Sequence, residues 1–389
     1  MVFIIGSSLK LICNVLKTQA ENDDIQNKDK IELEELLQTL NASERYLVAK
    51  YFCKLIWNIG SLKILSILQK LRILTATEYI LSCEDIQEVQ LIINDLLESE
   101  YDLITNLLIN ATLDSANSIR LNAILDESLE NLFKDLLQKP ELNDLSFLDY
   151  IKKSVTAEIR VKIIHKLFTS ILGLQQTNIK EAFHNFSTWI NEGVDDMKFP
   201  QDLYKQLLCE HPEESLNFLL KSSTIENFKE WKFYLIMLQT ISSKNNVIAG
   251  PYIRKYLKLR LKQCATIPCK RSILHMLLTA RAATANTMDI TKNLNNYADW
   301  YKTNIGEMKF SLKAEEFQNI LALLEQSINY EMEVDYLEIH TLIAISPPVL
   351  CGKLVQTYKN KCKQRLQQIK KGNLQVDAIN ASIVIEDSN

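Results

Sequence analysis

The chain has 389 residues, 47% of them hydrophobic and 24% charged, with 8 Gly, 7 Pro and a formal net charge of −4. That apolar content excludes a disordered chain, and glycine and proline this sparse argue against a fold of sheets and tight turns. The longest apolar runs stay short of the roughly 20 residues a membrane-spanning helix needs, so no membrane partner is expected.

The net charge hides an asymmetry. Residues 1–150 hold 24 acids against 13 bases, a net of −11 that leaves +7 for the remainder. Residues 73–119 carry nine acids and no base, with Glu84, Glu88 and Asp95 at the middle of the run. Residues 231–288 carry ten Lys/Arg and no acid. Such a division points to opposed surfaces with different partners, or to attraction between them across a curved fold.

Taken in chain order, the apolar residues repeat with a helical period and the breaks carry capping residues. Met1 to Ile5 is apolar but lacks a basic flank, and Lys10 interrupts it, so it reads as the start of the first helix, not a signal peptide. Leu33, Leu36, Leu37 and Leu40 form a stripe. Asn41 with Glu44 resembles a capping box that opens a helix through Tyr51, Leu55 and Ile56, with Gly60 as its left-handed terminator and Ser61 as the next cap. Thr75 with Glu78, and Ser82 with Asp85, repeat the capping pattern.

Helices follow around Leu103 to Leu108 and from Leu125 to Leu136, stopped by Pro140, and then through Ile164, Phe168, Phe183 and Phe186. Pro200 and Pro212 stand where helices begin, because a first-turn residue needs no amide donor. Pro251 and Pro268 open the two helices of the basic stretch, and Pro347 and Pro348 open a last long helix that Gly372 ends. The tail, residues 373–389, lacks the period and is expected to be disordered. It closes on a β-prone run, Ile383, Val384 and Ile385, followed by acids, the kind of segment that adds a strand to a partner's sheet edge as SUMO-interacting motifs do.

About eighteen helices of roughly 10 to 20 residues result, joined by short loops, with no convincing strand. The fold class is all-α. Helix pairs of about 40 residues match the length of HEAT or armadillo repeats, so the expected architecture is an α-solenoid of stacked antiparallel pairs, with an irregular multi-helix bundle as the alternative. No linker divides the chain, so residues 1–372 read as one continuous helical-repeat domain, acidic over about 1–150 and basic over about 231–372.

No constellation carries catalytic chemistry. The eight cysteines (Cys13, Cys53, Cys83, Cys209, Cys264, Cys269, Cys351, Cys362) stand singly, without a CxxC, at positions that suit a small hydrophobe. They point to a reducing compartment, hence an intracellular protein, nuclear ahead of cytoplasmic. Four N-x-S/T sequons, at Asn41, Asn110, Asn185 and Asn380, are then chance matches. The five histidines are scattered among apolar neighbours. No GxGxxG, GxxxxGK[ST], GxSxG or HExxH is present, and paired acids such as Glu213 and Glu214 suit first helical turns. The expectation is a protein without catalytic residues, cofactor or metal.

The informative feature is a basic helix. Arg254, Lys255, Lys258 and Lys262 fall within about 100° on a helical wheel, opposite Ile253, Tyr256, Leu257, Leu261 and Cys264. Lys270 and Arg271 begin the next helix. These charges are solvated or paired with the acidic repeats, or they bind an acidic protein segment, or they bind nucleic-acid phosphates; a sequence pI of about 5.9 weakens the last. The final helix is also basic, with Lys361 and Arg365 among seven Lys/Arg around an apolar stripe, and suits the polar outer cap that a solenoid requires. The reading is a non-enzymatic scaffold or adaptor subunit of a larger complex, docking an acidic segment at the basic face and a basic segment at Glu84, Glu88 and Asp95. The alternative is a nucleic-acid-binding helical-repeat protein in genome maintenance or RNA processing.

Overall fold

The computed structural model of the chain describes residues 7–22, 27–113, 115–138, 146–195, 211–225, 227–287 and 289–372. Met1 to Ile5, Asp114, Pro140, Pro200, Cys209, Met288 and the tail 373–389 lie outside the described residues. Among the described residues there are nineteen α-helices and no strand, only one isolated parallel bridge between Thr177 and Glu230. The fold is all-helical. It forms two compact units, residues 1–174 and 175–389.

The first unit holds α1 (Ser7–Ala20), α2 (Asn27–Gln38), α3 (Ala42–Phe52), α4 (Ile59–Lys70), α5 (Ala76–Ser82), α6 (Ile86–Glu98), α7 (Tyr101–Ala111), α8 (Ala116–Gln138), α9 (Ser146–Ser154) and α10 (Ala157–Gly173). Each packs mainly on helices one to three places away in sequence, which is what short connections impose. Two of the three expected capping boxes form. The Asn41 side chain accepts from the Glu44 amide and Glu44 accepts from the Asn41 amide, each at 3.0 Å. Thr75 and Glu78 do the same at 3.2 and 2.8 Å. At the third expected cap the residue differs: Asp85, accepting from the Gln87 amide at 2.8 Å, caps α6, while Ser82 closes α5 by donating to the Tyr79 carbonyl.

Gly60 does not end a helix. It is the second residue of α4, and a Cβ there would stand 2.1 Å from the Gln19 carbonyl oxygen, 2.7 Å from that of Asn22 and 2.9 Å from that of Ala20. Glycine is required because the end of α1 lies against its Cα. The left-handed residue is instead Arg72, at φ 56°, just beyond α4. The Arg72 amide donates to the Gln69 carbonyl and the Ile73 amide to the Leu68 carbonyl, at 3.0 and 2.8 Å, which is a Schellman ending.

The second unit holds α11 (Ile179–Asp195), α12 (Pro212–Ser222), α13 (Trp231–Lys244), α14 (Asn246–Thr266), α15 (Lys270–Thr284), α16 (Ile290–Tyr301), α17 (Ala314–Ser327), α18 (Val334–Leu342) and α19 (Gly352–Lys370). Its axis is α15, in which every residue from Ile273 to Ala282 is buried, and which packs on α11, α13, α14, α16 and α17. A helix covered on every side belongs in a core, and this one takes His275, Thr279 and Arg281 in with it. Pro347 and Pro348 do not begin the last helix; the chain first turns through Leu350, at φ 74°, and α19 starts at Gly352. Gly372, at φ 73°, follows α19 as the sequence leads one to expect.

One contact in this unit spans far more sequence than a neighbour-to-neighbour stack. The Glu333 carboxylate accepts from the Ser187 amide at 2.8 Å and from its hydroxyl at 2.5 Å, and the rings of Phe183 and Phe186 meet those of Tyr330 and Tyr336. Beside this closure lies Arg281, wholly buried, ion-paired to the equally buried Glu331. Its guanidinium carbon sits 3.9 Å from the Tyr336 ring centre, 4.9 Å from Phe183 and 5.8 Å from Tyr297. Burial alone would lower the Arg281 pKa, but Glu331 together with Tyr297, Glu333 and Tyr336 outweighs it and the net direction is up, so the charge stays.

Removing one member of a buried pair leaves the other charged and unpartnered. Arg281→Met is therefore expected to cost about 3–5 kcal/mol in urea unfolding of the full chain, most of it recovered when Glu331→Leu is added.

Two buried histidines make stability depend on pH. Burial pushes His275 down to about 3, helped by Arg260 and Arg271, and pushes His340 well below its ordinary value, helped by Arg281 and Lys359. Both are neutral when folded and take up a proton near pH 6.5 once unfolded, so the unfolded state binds more protons below that pH. Stability should fall as pH drops from 6.5, by about 2 kcal/mol per histidine on reaching pH 5. Urea unfolding at pH 7 and pH 5 measures the fall, and His275→Gln should remove about half of it.

Candidate docking face

The basic residues of the sequence do not share one surface. α13 and α15 are interior along most of their length, and Arg281 is part of the core; apart from Lys244 and Lys270 at helix ends, the exposed charge is carried by α14. That helix begins one turn earlier than the proline suggests, with Pro251 at its sixth residue, where the Val247 carbonyl loses a donor. Its buried side is Ala249, Ile253, Leu257, Leu261, Cys264 and Ala265. The helical period then forces Arg254, Lys258 and Lys262 outward on successive turns, about 6 Å apart along the axis. Arg254, Lys255, Lys258 and Lys262 are all exposed, and among the described residues none of them forms an ion pair.

The other basic candidates have intramolecular work. Lys270 lies over the Tyr330 ring at 4.8 Å, and Arg271 donates to the carbonyls of Ile225 and Phe228 at 2.8 and 3.4 Å. On α19, Lys361 pairs with Glu325, and Arg365 donates to the carbonyls of Glu331 and Asn329 at 3.1 and 3.2 Å. Lys359, neighbouring them, caps the end of α18 by donating to the carbonyls of His340 and Ile343; burial pushes it down to about 8. α19 thus uses several of its charges to hold α17 and α18 in place.

In the first unit, Glu84 is exposed ahead of α6, Glu88 is half-buried, and Asp95 accepts from the Trp57 indole nitrogen at 2.8 Å. Burial raises the pKa of Glu100 and of Asp102, whose carboxylate also accepts from Gln69. The acidic run is accordingly part surface and part local hydrogen bonding.

Sequence reasoning missed a cleft of about 360 Å³ beside the basic ridge, where α14, the end of α15 and α16 converge. Asn246 and Arg254 line it from α14, Asn286 from the loop after α15, and Asn296, Asp299 and Trp300 from α16. Single asparagines in three separate segments give no linear motif, so only folding brings them together. Elsewhere, Ser223 Oγ meets His275 Nε2 at 2.9 Å, but the pair is buried and His275 Nδ1 has no hydrogen-bond partner among the described residues, so no carboxylate orients the ring. Among the described residues no three His, Cys, Asp or Glu side chains gather as a metal site, and no helix is long and apolar enough to cross a membrane.

No curated protein and no solved structure matches the chain. A family model described as "Fanconi anaemia group A protein N terminus" matches residues 12–371. The match runs without a break from within α1 to the residue after α19, and by it the chain belongs to the family of Fanconi anaemia group A protein N termini.

Proposed function

We propose that this chain is a non-catalytic subunit of a nuclear genome-maintenance complex, and that it acts as an adaptor by docking partner proteins on charged helical faces. Membership of the Fanconi anaemia group A family supports the complex and its setting. The observation that carries the docking reading is the row of Arg254, Lys255, Lys258 and Lys262 on α14, exposed and without an ion pair among the described residues. Four like charges on a surface that could have been neutralised gain most from an acidic partner. The acidic positions Glu84, Glu88 and Asp95 would serve a basic segment in the same way.

We further propose that the helices stack as antiparallel pairs in the manner of HEAT or armadillo solenoids, modified in the second unit by the closure of α11 onto residues 328–336. The preference of each helix for its sequence neighbours supports this. The family match crosses both units without interruption, which supports treating residues 1–372 as one functional module.

Charge reversal at Arg254, Lys258 and Lys262 should abolish capture of one partner from nuclear extract while the thermal midpoint stays within a degree or two, because these side chains touch no core. Capture that persists unchanged removes this face from the interaction. Nucleic-acid binding along the same ridge is the competing reading, and it requires affinity for an oligonucleotide that falls steeply as salt rises.

A further inference from the structure

The lip of the cleft next to the ridge is shaped by a missing side chain, over which two polar side chains close in. At Gly250 a Cβ would stand 3.0 Å from Asn246 Oδ1 and 3.2 Å from an Arg254 guanidinium nitrogen, so Arg254 folds back over the glycine toward Asn246. The guanidinium therefore forms one lip of the cleft and the first charge of the ridge at once.

The lining offers both donors and acceptors. Asn296 donates to Asn286 Oδ1 at 3.1 Å, which leaves the Asn286 amide hydrogens and the Asn296 carbonyl oxygen to a visitor. Trp300 lines the same cleft, but its indole nitrogen is buried out of a visitor's reach and has no partner among the described residues. Asp299 is the acid among these lining residues, and it disfavours a second carboxylate inside while leaving the ridge outside free to attract one. A polypeptide backbone alternates donors and acceptors in this way; a phosphate chain offers acceptors only.

Spacing fixes the partner further. Arg254, Lys258 and Lys262 repeat every four residues, about 6 Å, and side chains on one face of an extended peptide repeat every two residues, about 6.6 Å. Acids at alternate positions of an extended segment can thus meet the three bases in turn, whereas consecutive acids point to opposite sides.

Building on the docking reading above, the geometry points to a bipartite peptide site. An extended segment of a partner protein lays an uncharged polar stretch in the cleft beside Asn286, Asn296 and Asp299, and sets acidic residues at alternate positions along Arg254, Lys258 and Lys262. Gly250 is the residue that lets Arg254 and Asn246 lie together at the lip of the cleft.

The test is fluorescence anisotropy on the full chain with two labelled peptides of equal composition, one with Asp and Glu at alternate positions after an Asn/Ser stretch, the other with the acids in a block. The alternating peptide is expected to bind about tenfold tighter. Gly250→Leu, which displaces the flexible ends of Asn246 and Arg254 from the lip of the cleft, should erase that preference without lowering the thermal midpoint, leaving both peptides at the weaker affinity. Equal binding of the two peptides to the wild-type chain, or a preference that survives Gly250→Leu, overturns the bipartite site; the docking reading still stands if Lys258→Glu with Lys262→Glu weakens both peptides. No binding of either peptide, or a single-stranded DNA probe that binds more tightly than both, overturns the two together.

Discussion

A guanidinium with no access to water is the constraint around which the second unit is arranged. Arg281 cannot lose its proton under ordinary conditions, and an isolated charge in that setting would be prohibitive. Glu331 supplies the countercharge, and the faces of Tyr336, Phe183 and Tyr297 supply electron-rich surface around the rest. These groups come from α11, α15, α16, α18 and the segment before α18, so a single side chain ties together elements as far apart as residues 183 and 336. An aliphatic residue would fill the volume with less demand on geometry. The arginine requires its partners in one arrangement, and this favours a single register of helices over the several that packed leucines alone would tolerate.

From that interior the outer charges follow. α14 lies on α15, α17, α13 and α12 through its apolar stripe, with Tyr256 half-buried beside it, and Arg254, Lys255, Lys258 and Lys262 are left to solvent. Nothing in the packing requires those residues to be basic. The run of arginine and lysine, with no ion pair to a carboxylate among the described residues, is a property the core does not explain, and the proposed docking face rests on it.

Much of the helical architecture was legible because its signals are local. Capping boxes at Asn41 and Thr75, the glycine after α19 and the stripe on α14 each depend on residues within one or two turns. What failed depended on distant parts of the chain. Gly60 looks like a terminator by type, yet it is held by carbonyls some forty residues earlier; Pro251 looks like a beginning, yet the helix runs through it. The acid-free stretch has two causes that sequence cannot separate: α13 and α15 lack acids because they are interior, α14 lacks them on an open face. Arg281 was indistinguishable from its neighbours in composition, and only Glu331, fifty residues on, gives it away. The cleft was invisible for the same reason, since its polar groups meet only after α14, α15 and α16 have packed.

The crossing at Gly60 sorts the chain's glycines by what inheritance can do to them. Gly173 and Gly352 have nothing within 4 Å of where a methyl group would stand, so variants there meet open space. At Gly60 even the smallest side chain meets three backbone oxygens, two in the last turn of α1 and one just beyond it, which have no rotamer to retreat into. A one-base change at that codon would be felt as displacement of the amino-terminal helix, a lesion whose cause sits far from where its damage is seen.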